Sequence, residues 1–167
     1  MKTKIAKWVI DNLPEGIAVA GDLDYRGADR KEDCELIDSF GWLRRHYPEL
    51  ALLAFHPENE FRADKETYAQ YYQSLKKGRV DGLCDFVMLS PVVGAPNLLI
   101  EFKRKNIGKS LSLGKSKPAI ASIERFTKQM KILHAQSKTG AECWLCLSSD
   151  NFKYIIKTYC NKYLLDL

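Results

Sequence analysis

The strongest constraint on the fold is a pair of short apolar runs joined by a segment rich in proline and glycine. The runs span residues 82–89 and 98–103, and the segment between them includes residues 91–96. Apolar runs of this length, bounded by turn-forming residues, are typical of buried strands, and their closeness in the chain favours an antiparallel hairpin. We therefore predict a hairpin whose second strand ends at Lys103.

Charged side chains interrupt both apolar runs. Successive side chains of a strand point to opposite faces, so Glu101 and Lys103 share one face while Ile100 and Phe102 take the other. A buried charge without a partner costs roughly several kcal/mol or shifts its pKa. Glu101 and Lys103 therefore need water, each other or a ligand, and Asp85 in the first run adds a second carboxylate to the hairpin.

The rest of the chain alternates between helical and extended patterns. Apolar residues at helical spacing predict helices over residues 4–12, 31–46, 67–77, 120–139 and 152–165. Short apolar runs predict further strands at residues 17–20, 50–56 and 142–148. This order predicts an α/β fold, a central mixed β-sheet flanked by helices, in which the last two strands along the chain are parallel neighbours joined by a helix.

The order of the charged residues, an Asp followed by a strand that carries Glu-x-Lys, resembles the PD-(D/E)xK nuclease superfamily. The VRR-NUC branch is the most similar: residues 77–85 resemble its approach to the first metal carboxylate, residues 100–104 its catalytic strand, and Gln129 its helix glutamine. Upstream, residues 42–50 and 55–60 are similar to stand-alone members of phage and bacterial type. The resemblance implies a restriction-endonuclease-like core.

The resemblance covers about residues 31–160, most of the chain. We therefore expect residues 1–30 to be an N-terminal extension packed on or beside the core, and residues 31–167 to be the VRR-NUC-like nuclease domain. Three features depart from the family pattern: Cys84 replaces a Pro, Leu36 replaces a Gln, and a basic insertion follows the Glu-x-Lys strand. None of them removes a charged catalytic position.

The resemblance also implies roles for individual residues, with Mg²⁺ or Mn²⁺ as the cofactor. The implied catalytic residues are Asp85, Glu101, Lys103, Gln129 and Glu32. The implied metal ligands are Asp85, Glu101, the backbone carbonyl of Phe102, and either Glu32 or Glu35. Lys103 would orient or activate the attacking water and stabilise the phosphorane charge, and Gln129 would fix the geometry of a water or a phosphate.

The net charge is only +5, but it is distributed unevenly along the chain. Residues 101–140 contain ten Lys and Arg against two Asp and Glu, whereas residues 1–100 contain thirteen against sixteen. Positive charge directly after the Glu-x-Lys strand favours contact with DNA phosphates, and the alternative is an ordinary solvated face. The predicted DNA-binding residues are Arg104, Lys105, Lys109, Lys115, Lys117 and Lys128.

Five scattered cysteines indicate a reducing compartment rather than a disulfide framework. Cys143 and Cys146 have CxxC spacing, but without a second pair or a nearby His they favour a core strand over a zinc or redox site. No stretch approaches the ~20 apolar residues of a membrane span. We expect a cytoplasmic protein, in the bacterial host cell if it is phage-encoded.

These features together predict a metal-dependent DNA endonuclease that hydrolyses phosphodiester bonds. The resemblance to small stand-alone members implies a preference for branched DNA such as Holliday junctions, and a homodimer with one site per strand. Two alternatives stay open: a noncatalytic DNA-binding accessory protein on a nuclease-like fold, and a nuclease for linear DNA or for RNA. Metal-dependent cleavage separates the first alternative from the prediction.

Overall fold

The computed structural model describes residues 3–57, 67–77, 80 and 82–163, and this part of the chain is built around a five-stranded sheet. The strands are β1 (Ile17–Ala20), β2 (Ala54–Phe55), β3 (Phe86–Met88), β4 (Leu98–Phe102) and β5 (Glu142–Cys146). Their order is β1-β5-β4-β3-β2; β5 is parallel to β1 and β4, and β3 is antiparallel to β4 and β2. The predicted mixed sheet and its hairpin are confirmed.

Six α-helices and a short 3₁₀ helix accompany the sheet in the described residues. They are α1 (Lys4–Asn12), α2 (Glu32–His46), α3 (Pro48–Ala51), α4 (Tyr68–Lys76), the 3₁₀ helix (Ile107–Lys109), α5 (Lys117–Ser137) and α6 (Ser149–Tyr163). The predicted helices are confirmed as α1, α2, α4, α5 and α6, although residues 164–165 of the last prediction lie outside the described residues. None of these described helices has the length and apolar character that a membrane crossing requires.

Apolar side chains on the two faces of the sheet form two separate clusters. On one face, Phe86 and Ile100 pack with side chains of α2 and α6. On the other face, Val87 and Leu99 pack with side chains of α1 and α5. Since Leu99 and Glu101 are two residues apart on β4, the Glu101 side chain belongs to the face that α5 covers.

The strand predicted at residues 50–56 is wrong for most of its length. A helical turn, α3, occupies Pro48–Ala51, and β2 contains only two residues. Pro48 begins that turn. The first N–H groups of a helix have no partner within the helix, so the N–H that proline lacks costs no hydrogen bond there. The turn buries Leu50, an apolar residue that also fits a strand pattern.

The N-terminal segment contributes an element to the sheet. β1 pairs with β5 along its whole length and forms one edge of the sheet. α1 packs beside it and buries Val9, while the Trp8 ring contacts the Phe126 ring of α5 with centroids 5.7 Å apart. Residues before position 21 therefore help to cover the face of the sheet on which Glu101 lies.

Cys143 and Cys146 are buried in β5, which confirms the prediction of a core strand. Burial raises the pKa of both thiols to about 12, so neither side chain is a thiolate near neutral pH. The cysteines of the chain are all free.

Candidate active site

The hairpin brings Asp85 to the end of β4. Asp85 immediately precedes β3, and its Oδ2 accepts a hydrogen bond of 2.8 Å from the backbone N–H of Phe102. His56, which follows β2, places Nδ1 2.5 Å from the backbone oxygen of Asp85. Gly78, Arg79 and Asp81 of the predicted approach to this carboxylate lie outside the described residues. The predicted proximity of Asp85 to the Glu-x-Lys strand follows from strand pairing.

Glu101 and Lys103 form a buried ion pair. Their side chains are 1% and 8% exposed, and Lys103 Nζ donates to Glu101 Oε1 at 2.5 Å. Nζ also donates to the backbone oxygen of Phe102 at 2.8 Å. Lys103 N in turn donates to the Cys146 carbonyl of β5, at 2.9 Å, so the lysine backbone is fixed by the sheet. The backbone carbonyl expected to bind a metal is thus a hydrogen-bond acceptor for Lys103.

The carboxyl groups of Asp85, Glu101 and Glu32 interact electrostatically with the ammonium group of Lys103 at this site. Burial raises the pKa of Glu101 to about 8, an effect that Lys103 reduces and Asp85 increases. Burial also raises the pKa of Asp85. Burial alone would lower the pKa of Lys103, but Glu101, Glu32 and Asp85 outweigh it and hold that pKa above its usual value. Lys103 therefore stays an ammonium ion, and the carboxylates attract a proton or a cation.

The structure separates the two candidate carboxylates of α2. Glu32 contributes to the negative potential at Asp85, Glu101 and Lys103. Glu35 is buried elsewhere, where its Oε2 accepts from the backbone N–H of Ser149 at 2.7 Å. Because Ser149 begins α6, the Glu35 carboxylate accepts a hydrogen bond from one of the free N–H groups at the N-terminus of that helix. The geometry favours Glu32 over Glu35 as the carboxylate of the site.

Gln129 lies on α5 at a cavity beside the ion pair. The cavity has a volume of about 350 Å³, and its lining residues include Glu32, Lys103, Arg104, Ser110, Arg125 and Gln129. The Gln129 residue is 7% exposed, and its Oε1 has no hydrogen-bond partner within the described part of the chain. Leaving a buried amide oxygen without a hydrogen bond costs free energy of folding. The orientation of Gln129 is therefore consistent with a water or a ligand that binds to this oxygen.

Asp29 is a buried carboxylate that the sequence analysis missed. Its side chain is 0% exposed and accepts hydrogen bonds from Arg104 Nε and Nη2 at 3.0 Å each, and from Lys109 Nζ at 2.6 Å. The backbone N–H of Asn106 is a further donor at 3.3 Å. Hydrogen bonds from Arg104, above all, lower the pKa of Asp29 to about 2. Its position in a polar loop before α2 gave no signal of partners more than seventy residues away.

The predicted DNA-binding residues divide into two groups. Arg104 and Lys109 are ion-paired with Asp29, and Lys105 lies over the ring of Tyr25, 4.8 Å from its centroid. The other three, Lys115, Lys117 and Lys128, are exposed at or near α5. The first group is therefore fixed beside the candidate site, and the second is free to meet a partner at the surface.

The residue types of the site fit a hard divalent cation. Glu101 Oε2 is buried and has no hydrogen-bond partner among the residues that the structure describes, and Asp85 supplies a second carboxylate for a metal on the same hairpin. Within the described residues no group of three or more His, Cys, Asp or Glu side chains has the arrangement of a metal site. Mg²⁺ typically takes one or two protein carboxylates and fills its remaining positions with waters and phosphate oxygens. A site based on Asp85 and Glu101 meets that requirement.

Comparisons with known proteins support the fold. No protein-family model matches the sequence, and no curated protein matches it significantly. Among solved structures, a chain described as a VRR_NUC domain protein is similar, with a TM-score of 0.51 and 19% identity. The match covers 80% of this chain and 91% of that chain. At this identity the similarity shows the fold alone: this chain has the restriction-endonuclease-like α/β fold of a VRR_NUC domain protein.

Proposed function

We propose that this protein is a metal-dependent endonuclease that hydrolyses phosphodiester bonds in DNA. The observation that carries the proposal is that the buried pair of Glu101 and Lys103 and the half-buried carboxylate of Asp85 meet at the end of one hairpin. A structural ion pair alone does not need a second carboxylate nearby, such as Asp85, that raises the pKa of the first. A charged group of this kind on a nuclease-like fold supports a catalytic role.

Asp85 and Glu101 would bind Mg²⁺ or Mn²⁺, with Glu32 beside them on α2. A bound divalent cation lowers the pKa of water and stabilises charge on the phosphoryl and leaving oxygens. The Phe102 N–H orients Asp85, and Lys103 orients Glu101, through the hydrogen bonds that each makes in the structure. Both carboxylates are thereby fixed before any ligand binds, which reduces the cost of ordering the site.

Lys103 would act as a hydrogen-bond donor and a fixed positive charge rather than as a base. Two of the three N–H groups of Nζ are used by Glu101 and by the backbone oxygen of Phe102. The third remains for a water or a phosphate oxygen. Because the neighbouring carboxylates raise the pKa of Lys103, it keeps its proton at neutral pH and would stabilise the negative charge of the transition state. Gln129 would position a water or a phosphate in the adjacent cavity.

DNA is the proposed substrate because positive charge is concentrated around the site. The segment from residue 101 to 140 contains ten Lys and Arg and only two Asp and Glu, and Arg104, Lys109 and Arg125 line the cavity. The resemblance to stand-alone VRR-NUC members supports branched DNA as the preferred substrate and a homodimer as the active form, since two related sites can cut two strands.

The first test is cleavage of labelled duplex, flap, single-stranded and four-way-junction DNA in Mg²⁺, Mn²⁺ or EDTA. We expect cleavage only with a divalent cation, and Lys103→Ala should lower its rate on the order of 10²-fold or more, since one preorganised donor to the transition state is lost. Lys157→Ala, which removes an exposed lysine of α6, is the matched control.

Two outcomes contradict the proposal. Equal rates for the wild type and Lys103→Ala would remove Lys103 from the reaction. DNA binding without cleavage under any metal condition would instead indicate a noncatalytic accessory protein. The ranking of the four substrates tests the preference for branched DNA separately from the reaction itself.

A further inference from the structure

Two carboxylates at the start of α2 contact the same short segment after β4. Asp29 lies three residues before Glu32, and both reach residues 104–110 from a distance of more than seventy residues in sequence. Asp29 binds the side chains of Arg104 and Lys109, whereas Glu32 Oε1 accepts from the backbone N–H of Arg104 at 3.2 Å. Arg104 is therefore held through its side chain by one carboxylate and through its backbone by the other.

Ser110 completes the contact at Glu32. Its hydroxyl donates to Glu32 Oε1 at 2.5 Å and accepts from the backbone N–H of Arg104 at 3.2 Å. Both contacts at Glu32 thus fall on one oxygen, Oε1. A glutamate with one oxygen fixed in this way loses side-chain freedom and keeps its second oxygen for another partner.

The contacts at Asp29 are stronger than an ordinary surface ion pair. A carboxylate whose side chain is covered by its partners and that accepts from a guanidinium, an ammonium and a backbone N–H is typical of a fixed structural point, because charge-assisted hydrogen bonds are short and directional. The lowered pKa of Asp29 keeps it ionised throughout the neutral range. Asp29 therefore connects Arg104, Asn106 and Lys109 to the segment just before α2.

We propose that Asp29 and Ser110 are positioning residues of the nuclease site. Asp29 fixes residues 104–110 against the start of α2, and Ser110 then holds one oxygen of Glu32, so that the Glu32 carboxylate stays within electrostatic reach of Asp85 and Glu101. This inference rests on the proposed function, since Glu32 matters only if the site binds a metal. It places part of the site's support in residue 29, outside the segment that resembles the nuclease family.

The first measurement needs neither metal nor DNA. Hydrogen exchange of the Arg104 and Asn106 amides in EDTA should become faster in Asp29→Asn, because the variant loses the charge that holds this segment. Asp38→Asn is the matched control, since Asp38 also pairs with an arginine, Arg30, but at the surface of α2. Unchanged exchange in Asp29→Asn would overturn the structural half of the inference.

The second measurement separates positioning from simple stability. At a temperature where all variants are folded, Asp29→Asn and Ser110→Ala should raise the Mg²⁺ concentration for half-maximal cleavage about 10-fold or more, as is usual for groups that orient a metal ligand. Calorimetry with Mn²⁺ alone should show the same loss of affinity. Ser110→Thr keeps the hydroxyl and should restore the wild-type metal dependence.

The outcomes distinguish this inference from the proposed function. If the wild type cuts DNA and the variants match Asp38→Asn in metal affinity and metal dependence, the positioning role is wrong and the proposed function stands. If the wild type neither binds Mn²⁺ nor cuts, the proposed function fails and the inference fails with it. A Ser110→Thr protein as impaired as Ser110→Ala would also contradict the role of the hydroxyl.

Discussion

At the scale of single residues, the protonation of Glu101 would affect whether the proposed site binds a cation. Its carboxylate is buried, one of its oxygens has no partner in residues 3–57, 67–77, 80 and 82–163, and its pKa is raised to about 8. A metal ion would compete with that proton for the same oxygens. We therefore expect the Glu101 carboxylate to destabilise the fold when no cation is bound and to favour the binding of a cation.

The cost of this carboxylate should appear as a pH dependence of stability. Between its ordinary pKa of 4.5 and about 8, the folded Glu101 keeps a proton that the unfolded residue has lost. The native state then binds more protons, so stability falls as pH rises through this range and levels off above it. Glu101→Gln lacks this proton, and its melting temperature in EDTA should rise relative to the wild type between pH 5 and pH 8, roughly the range between the two pKa values.

Glu124→Gln serves as the control for that comparison. Glu124 is exposed on α5, so its loss should leave the shape of the stability curve unchanged. Wild-type and Glu101→Gln curves that run parallel from pH 5 to pH 8 would mean, on this linkage argument, that Glu101 is ionised throughout.

Sequence reasoning predicted the proximity of Asp85, Glu101 and Lys103 better than the contacts of Asp29. The two-residue period of a strand puts Glu101 and Lys103 on one face, and antiparallel pairing brings Asp85 to them. Neither argument predicts the partners of Asp29, because these depend on how a loop packs against a segment that is distant in sequence. The choice between Glu32 and Glu35 likewise depended on the position of α6, since Glu35 contacts the first residue of that helix.

At the scale of secondary-structure elements, Gly82 shapes the entry to β3. Its φ is +83°, in the left-handed region that residues with a side chain rarely adopt. A Cβ at this position would also meet Ile132 Cδ1 at 3.3 Å. The turn before Asp85 therefore packs directly against α5, and glycine provides both the backbone angle and the space.

Replacing Gly82 tests this arrangement. Gly82→Ala should lower the free energy of unfolding by about 1–2 kcal/mol through backbone strain, with a further loss from the contact with α5. Urea unfolding measures the change. Gly94→Ala is the matched control, because Gly94 has a φ of +90° but open space around its position. Equal losses in the two variants would show that the contact with Ile132 has no energetic effect.

Local side-chain caps explain where two of the helices begin. Thr3 accepts from Ala6 N at the start of α1, and Ser116 accepts from Ala119 N at the start of α5. The latter cap explains why α5 begins three residues before its predicted start. The strand prediction for residues 50–56 was wrong because their apolar residues fit both a strand and a helical turn, and Pro48 favours the turn.

At the scale of the whole molecule, charge is separated along the chain. The excess of Lys and Arg lies within residues 101–140, which include α5 and the segment that Asp29 holds. α6 packs on the opposite face of the sheet from α5. A DNA partner would therefore meet one side of the molecule.

The salt dependence of DNA binding should show which side of the molecule contacts DNA. The double variant Lys115→Gln and Lys117→Gln should reduce the slope of log K against log salt concentration by about 1–2, since each lost phosphate contact releases about one fewer counterion. Fluorescence anisotropy with a labelled duplex measures the slope. The charge-matched control changes Lys153 and Lys157 of α6 to Gln, and an equal effect in the control would contradict a localised DNA surface.

The pairing of β1 with β5 has a consequence for how the chain folds. Ile17 lies beside Cys143, so one edge of the sheet joins segments that are more than a hundred residues apart. Contacts between such distant segments form slowly, because the entropy of closing a long loop is lost before any contact stabilises the chain. Among the described strands β1 pairs with β5 alone, so this pairing cannot form during synthesis until β5 has left the ribosome. The N-terminal segment is therefore where we expect a chaperone to bind the nascent chain.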